Sequence, residues 1–292
     1  MTTEDTWPRA YWDAVDQFYW HPTYLGLGSI AQSKWKRSGN LVCIDESLTN
    51  KSGPLYRRVL NSKTYEPFLR AQEETFNHVL DIALAIVPPA EIGTLVSGFT
   101  SQKVEDEYHP IGRSLLERFG FRPSSNITQH DCYLLGAQSI ACLELKFDSP
   151  TSLNQLAKYM WLCLKEEDFT GKKDRLDLVY IAPGNATRKI EKDLGFSLDE
   201  LRFQDISRFT NSKTNKEIAR SFEERFNCFE EIASRMKISA ISWGEFKKVL
   251  ETRVSELKKN GQDKTLVRLY EGLVEEISRH PLAKIDTLEY AR

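Results

Sequence analysis

The stretch Asp131 to Tyr159 reads DCYLLGAQSIACLELKFDSPTSLNQLAKY, and its patterning decides the fold. Two strand-like runs, Asp131 to Leu135 and Ser139 to Phe147, flank the turn-like Gly136-Ala-Gln138 and read as a hairpin. Alternation along the second run assigns Ala141, Leu143, Leu145 and Phe147 to one wholly apolar face. Ile140, Cys142, Glu144 and Lys146 fall on the other. In a helix Glu144 and Lys146 would diverge by about 200°, but in a strand they stand side by side. The hairpin also brings Asp131 beside Glu144. After Ser152 the period becomes helical: Leu153, Leu156, Met160 and Leu164 form a core stripe, while Gln155 and Tyr159 share one edge.

Further strands and helices extend outward from this segment. Leu176 to Ala182 (LDLVYIA) reads as a strand ending at Pro183-Gly184, and Thr187 to Leu194 as a helix closed by Gly195. A charged helix near Asn215 to Met236 precedes a strand at Ile238 to Trp243. Ser242-Trp-Gly-Glu245 then has the form of a capping box opening the first of two final helices. Upstream, Glu105 to Phe119 reads as a helix closed by Gly120. Tyr65 to Val87 reads as a helix stopped by Pro88-Pro89. The small, polar segment Gly93 to Lys103 reads as a boundary. This succession predicts an α/β fold with a small mixed central sheet flanked by helices and with additional N-terminal and C-terminal elements. The expected division is an aromatic-rich N-terminal extension over 1–100 and a main domain over 101–292.

The chain has 292 residues, 40% of them hydrophobic, and 40 Lys and Arg against 42 Asp and Glu for a net charge of -2. This excludes collagen-like, low-complexity and disulfide-scaffold classes, and also a wholesale polycation. A nucleic-acid partner is a matter of local basic patches. Candidates are Lys34-Trp-Lys36-Arg37, Arg57-Arg58, Lys63, Lys172-Lys173, Arg175 and Arg188-Lys189. The 5 cysteines (Cys43, Cys132, Cys142, Cys163, Cys228) form no C-x-x-C pair, so reduced thiols and a cytoplasmic location are expected. The start of the chain lacks the pattern of a signal peptide. The longest apolar stretch, Val79 to Val87, is far short of the roughly 20 residues of a membrane span, so no membrane role is expected. The 5 histidines show no metal spacing; His130 should face away from Asp131 and reads as structural. There is no G-x-S-x-G, P-loop or G-x-G-x-x-G motif.

Asp131 and Glu144 at one strand end suit a hard divalent cation such as Mg²⁺, which takes few protein oxygens and keeps several waters. An adjacent Lys146 would orient a metal-bound water and stabilise charge developing on a phosphate. E-x-K recurs at Glu245-Phe-Lys247 and Glu256-Leu-Lys258, on predicted helices where solvated charge is explanation enough. The apolar strand around Glu144 sets it apart. Plainer readings stay open: Asp131 as a turn cap, Glu144 and Lys146 as a surface pair, Ser152-Leu-Asn-Gln155 as a capping box, Tyr159 as core.

Asp131, Glu144-Leu-Lys146 and Gln155-Leu-Ala-Lys-Tyr159 together resemble the PD-(D/E)XK nuclease superfamily, of restriction-endonuclease-like fold, and within it the RecB-like branch with a Q-x-x-x-Y helix. His130 stands where the family motif has proline, and there is no four-cysteine pattern for an iron-sulfur cluster. The resemblance implies that Asp131 and Glu144 are metal ligands, with the Leu145 carbonyl a third, and that Lys146 is the catalytic lysine. Gln155 and Tyr159 would contact DNA or steady the site. A further glutamate from the first core helix, Glu107 or else Glu117, would join them, Glu107 being the favoured choice. The function implied is a Mg²⁺- or Mn²⁺-dependent nuclease in which a metal-activated water attacks phosphorus in DNA, with RNA an open alternative. The competing expectation is a catalytically silent protein of the same fold that binds nucleic acid or serves in an assembly. Residues 1–100 are where a second copy or a protein partner would dock.

Overall fold

The expected hairpin and the helix that follows it both form. The computed structural model of the chain describes Trp7 and residues 73–111, 119, 130–147, 149–198, 216–261, 263–280 and 283. Along them run helices α1 (Glu73–Ile86) and α2 (Pro89–Thr100), then strands β1 (His109–Pro110), β2 (Cys132–Leu135) and β3 (Ser139–Leu145). Helix α3 (Leu153–Thr170), strand β4 (Arg175–Ala182) and helix α4 (Ala186–Leu194) follow. Helices α5 (Lys216–Glu224) and α6 (Phe226–Arg235), strand β5 (Met236–Ser242), and helices α7 (Trp243–Lys259) and α8 (Lys264–Arg279) complete the set.

The fold is α/β, as expected: one mixed sheet in the order β1-β2-β3-β4-β5, with helices on both faces. The pairs β1–β2 and β2–β3 are antiparallel, and β3–β4 and β4–β5 are parallel. Every residue of β3 is buried, because both sheet faces are covered. Ala141, Leu143, Leu145 and Phe147 enter one core with Val179 and Ile181 of β4 and the apolar sides of α1, α2, α7 and α8. Ile140 and Cys142 enter a second core with Leu176, Leu178 and Tyr180 and helices α3 to α6. The connections β3-α3-β4 and β4-α4-α5-α6-β5 return over the same face, as a constant crossover handedness requires while the strand order advances.

Glycine and proline explain where the observed elements differ from the expected ones. Gly93 to Lys103 is not a boundary, since α2 continues to Thr100. Its glycines serve close packing: a Cβ on Gly93 would lie 2.3 Å from the Asp106 carbonyl oxygen, and one on Gly98 2.5 Å from Val249. The segment expected as a helix from Glu105 is not helical over residues 105–111. It contains Pro110, which cannot sit in a helix interior but is tolerated in an edge strand, and there it pairs with Leu134. The charged region expected as one helix divides into α5 and α6. Residues from both sides of position 100 build the first core, and Trp7 packs against it, its indole N–H donating to the Leu269 carbonyl at 2.9 Å.

At the tip of the hairpin, Asp106 accepts from the amides of Glu107, Ala137 and Gln138 and from the Ser139 hydroxyl. The buried Lys173 ammonium donates to the Gly136 and Ala137 carbonyls at 3.2 and 2.9 Å. Burial alone would raise the Asp106 carboxyl, but the four hydrogen bonds prevail and hold it below its ordinary value of 3.8. Its contribution is therefore fully present above pH 3.8 and is lost as the pH falls through the lower folded value. Asp106→Ala should cost about 1–2 kcal/mol at pH 7 by urea unfolding, a deficit that shrinks below about pH 4. A loss at pH 7 within the error of the measurement would remove Asp106 as the hairpin clamp.

Candidate active site at the end of strand β3

The side chain of Glu144 lies in the sheet face covered by α3, with only 4% of its surface exposed. A buried carboxylate is costly unless its oxygens are paired. Lys146, two residues along the same face and itself buried, places Nζ 2.7 Å from Glu144 Oε1. Gln155 Nε2 donates to the same oxygen at 2.7 Å, and the Tyr159 hydroxyl donates to Oε2. Gln155 Nε2 also lies 2.5 Å from the Tyr159 oxygen, so the two helical residues brace each other one turn apart. The capping-box alternative for Gln155 is half realised. Ser152 does accept from the Gln155 amide at 3.2 Å, but the Gln155 side chain turns to Glu144.

Helix α3 is positioned by the loop before it. Thr151 Oγ1 donates to Gln155 Oε1 at 3.2 Å and stands 3.3 Å from the Tyr180 hydroxyl on β4. Burial, with the Glu144 carboxylate alongside, pushes the Tyr159 phenol far above its ordinary range, so it is a neutral donor at any physiological pH. Tyr180 is pushed up by burial in the same way.

Asp131 lies at the start of the hairpin, where the register Cys132↔Leu143 sets it opposite Glu144. Its Oδ2 accepts from the Leu145 amide at 2.8 Å and its Oδ1 from Asn77 of α1 at 2.7 Å. Amide and carbonyl of one strand residue point to the same side, so the Leu145 carbonyl also faces the Asp131 side of the strand. The donor set of two carboxylates and one carbonyl fits a small hard cation that keeps most of its water. Among the described residues no group of three or more His, Cys, Asp and Glu could hold a metal, so this set is the most the described part of the site offers.

The structure thus gathers Asp131, Glu144, Lys146, Gln155 and Tyr159, and leaves Glu107 out. Glu107 is exposed and stands before β1, in a segment that is not helical, so the reason for assigning it to the site is gone. Glu117 lies outside the described residues, as does the basic and aromatic group at 34–37, 57–58 and 63. Lys172, Lys173 and Arg175 belong to the opposite end of β4, where they pair with Glu231, with backbone carbonyls and with Asp177. Asn77 and Thr151 are contributors the sequence reading missed: Asn77 reaches Asp131 across 54 residues, whereas Thr151 lies only four residues before Gln155 and also reaches Tyr180 across 29. Clefts of about 360 Å³ between α2 and α7 and about 440 Å³ beside the start of β5 are not lined by Asp131, Glu144, Lys146, Gln155 or Tyr159.

His130 departs from the alternation. The chain bends at Asp131, and the imidazole turns onto the Tyr159 ring, stacked with centroids 3.9 Å apart. It is buried, with neither ring nitrogen hydrogen-bonded. Burial drives its pKa from 6.5 to about 3, so the folded site contains a neutral imidazole. No family model, no curated protein and no solved structure matches the chain.

Lys146→Met should cost about 3 kcal/mol, since it leaves a buried carboxylate without its counter-charge. The double variant Glu144→Gln/Lys146→Met should be more stable than Lys146→Met alone in urea unfolding; additive losses would contradict the pairing. Between pH 6.5 and about 3 the unfolded chain binds a proton at His130 that the folded chain does not, so stability falls as pH drops through that window. In chelator, wild type should lose about 1.6 kcal/mol more than His130→Phe between pH 6.5 and 5, the slope rising to ~1.4 kcal/mol per pH unit. Equal losses would mean that the ring is not held neutral.

Proposed function

We propose that this chain is a metal-dependent nuclease that hydrolyses phosphodiester bonds in DNA, a reading supported above all by one observation. Glu144 and Lys146 from a buried strand, and Gln155 and Tyr159 from the following helix, form one hydrogen-bonded cluster beside Asp131. Asp131, Glu144, Lys146, Gln155 and Tyr159 stand in the order that the PD-(D/E)XK resemblance implies, with His130 in place of its proline and without Glu107.

In this reading Asp131 and Glu144, with the Leu145 carbonyl, would hold Mg²⁺ or Mn²⁺, which supplies a water of lowered pKa and polarises a phosphoryl oxygen. Gln155 and Tyr159 fix the Glu144 carboxylate by donating to its two oxygens, so the acid does not have to reorganise when substrate arrives. Lys146 carries a positive charge whose position is set by Glu144 Oε1; it orients the attacking water and offsets negative charge growing on the phosphate. The neutral Tyr159 phenol donates and does not compete as a base. One observation favours the silent alternative: Glu144 is already compensated by Lys146, Gln155 and Tyr159 within the protein.

Incubation with single- and double-stranded DNA plus Mg²⁺ or Mn²⁺ separates the two readings. Cleavage should appear with wild type, stop with chelator, and fall by about 10²-fold or more in Lys146→Met and Glu144→Gln, with folding checked by circular dichroism. Cleavage that survives both substitutions would overturn the site. Binding of DNA without cleavage by wild type would favour the silent reading.

A further inference from the structure

Helix α4 carries a charge arrangement that the cluster around Glu144 does not use. Its nine residues, Ala-Thr-Arg-Lys-Ile-Glu-Lys-Asp-Leu, bury Ala186, Ile190 and Leu194 against the second core. The acids of the helix are both committed to the protein. Glu191 accepts from the Ser197 hydroxyl and the Leu198 amide, and Asp193 accepts from the Thr151 amide at 3.2 Å. Lys189 donates to the Phe147 carbonyl at 2.7 Å, just past the end of β3. Arg188 and Lys192 remain exposed on the outward face, one helical turn apart, and neither has an acidic partner among the described residues.

The position of this face follows from the topology. Strands β3 and β4 are parallel, with Glu144 opposite Tyr180, and β4 ends at Ala182, four positions before α4 begins. Helix α4 therefore starts at the same end of the sheet as the cluster. Its two tethers, Lys189 to Phe147 and Asp193 to Thr151, join it to the loop that sets Gln155. Arg188 and Lys192 lie about 6 Å apart along the helix axis, a span close to the separation of neighbouring phosphates on one DNA strand.

We propose that Arg188 and Lys192 form a ridge that contacts the phosphate backbone of DNA seated across the Glu144 end of the sheet. The identity of this partner rests on the nuclease reading. The ridge is positioned rigidly relative to the cluster, so it sets where along the strand a phosphodiester meets Lys146. It carries no base-reading function, because phosphate contacts fix register and not sequence.

The test is binding without cleavage. Full-length protein in EDTA is titrated against fluorescein-labelled DNA, duplex and single-stranded, by anisotropy from about 50 to about 300 mM salt. Arg188→Gln/Lys192→Gln should weaken binding roughly 10-fold at physiological salt and lower the log–log salt slope by about 1.8, or about 0.9 for each lost phosphate contact. The control Lys258→Gln/Lys264→Gln, at the end of α7 and the start of α8, should change neither. An unchanged slope, an equal effect of the control pair, or no DNA binding by wild type would overturn the ridge. Loss of slope without any wild-type cleavage in Mg²⁺ would remove the nuclease reading and leave the ridge standing. Cleavage with an unchanged slope would do the reverse.

Discussion

A carboxylate withdrawn from water must find its compensation inside the protein, and Glu144 sets that demand for the whole sheet end. The penalty for burying an ion is several kcal/mol after relaxation, so its partners must be held at hydrogen-bond distance without slack. They come from one strand and one helix: Lys146 by alternation along β3, Gln155 and Tyr159 by one turn of α3. The start of α3 must then be fixed against β3. Ser152 caps it, Thr151 ties it to Tyr180 on β4, and Asp193 ties Thr151 to α4. Much of the local architecture reads as the support of one buried charge.

The charged residues at the two ends of the sheet are arranged differently. At the starts of β3 and β4, Asp106, Lys173 and the Arg175–Asp177 pair are consumed in holding the hairpin and the strands together. At the carboxyl ends lie Glu144, Lys146 and the loops that lead into α3 and α4. Open α/β sheets place their ligands at the carboxyl ends of the strands, where helix starts and loops converge. The acidic pair and the exposed cations of α4 both lie at that end here.

How much of this was legible in the sequence depends on the range over which each residue acts. Glu144 and Lys146 could be placed together because a period of two is local, and Gln155 with Tyr159 because a helical turn is local. Asp131 opposite Glu144 needed only a short hairpin. The helix expected from Glu105 does not form over residues 105–111, because the ring of Pro110 is excluded from a helix interior. Gly93 and Gly98 looked like breaks and are instead points of close contact with Asp106 and Val249, partners a linear reading cannot supply. His130 faces Tyr159 because strand alternation ends at the bend at Asp131. Asn77 and Asp193 left no trace, since their partners Asp131 and Thr151 lie 54 and 42 residues away in the chain.

The central claim is that Asp131 and Glu144 act together on a divalent cation while Lys146, Gln155 and Tyr159 hold the acid in place. Mn²⁺ binding followed by electron paramagnetic resonance tests it directly, without substrate. The account predicts that wild type binds Mn²⁺ saturably, that Asp131→Asn and Glu144→Gln each abolish the bound signal, and that Glu245→Gln leaves it intact. Absence of binding by wild type, or binding that survives both Asp131→Asn and Glu144→Gln, would contradict it.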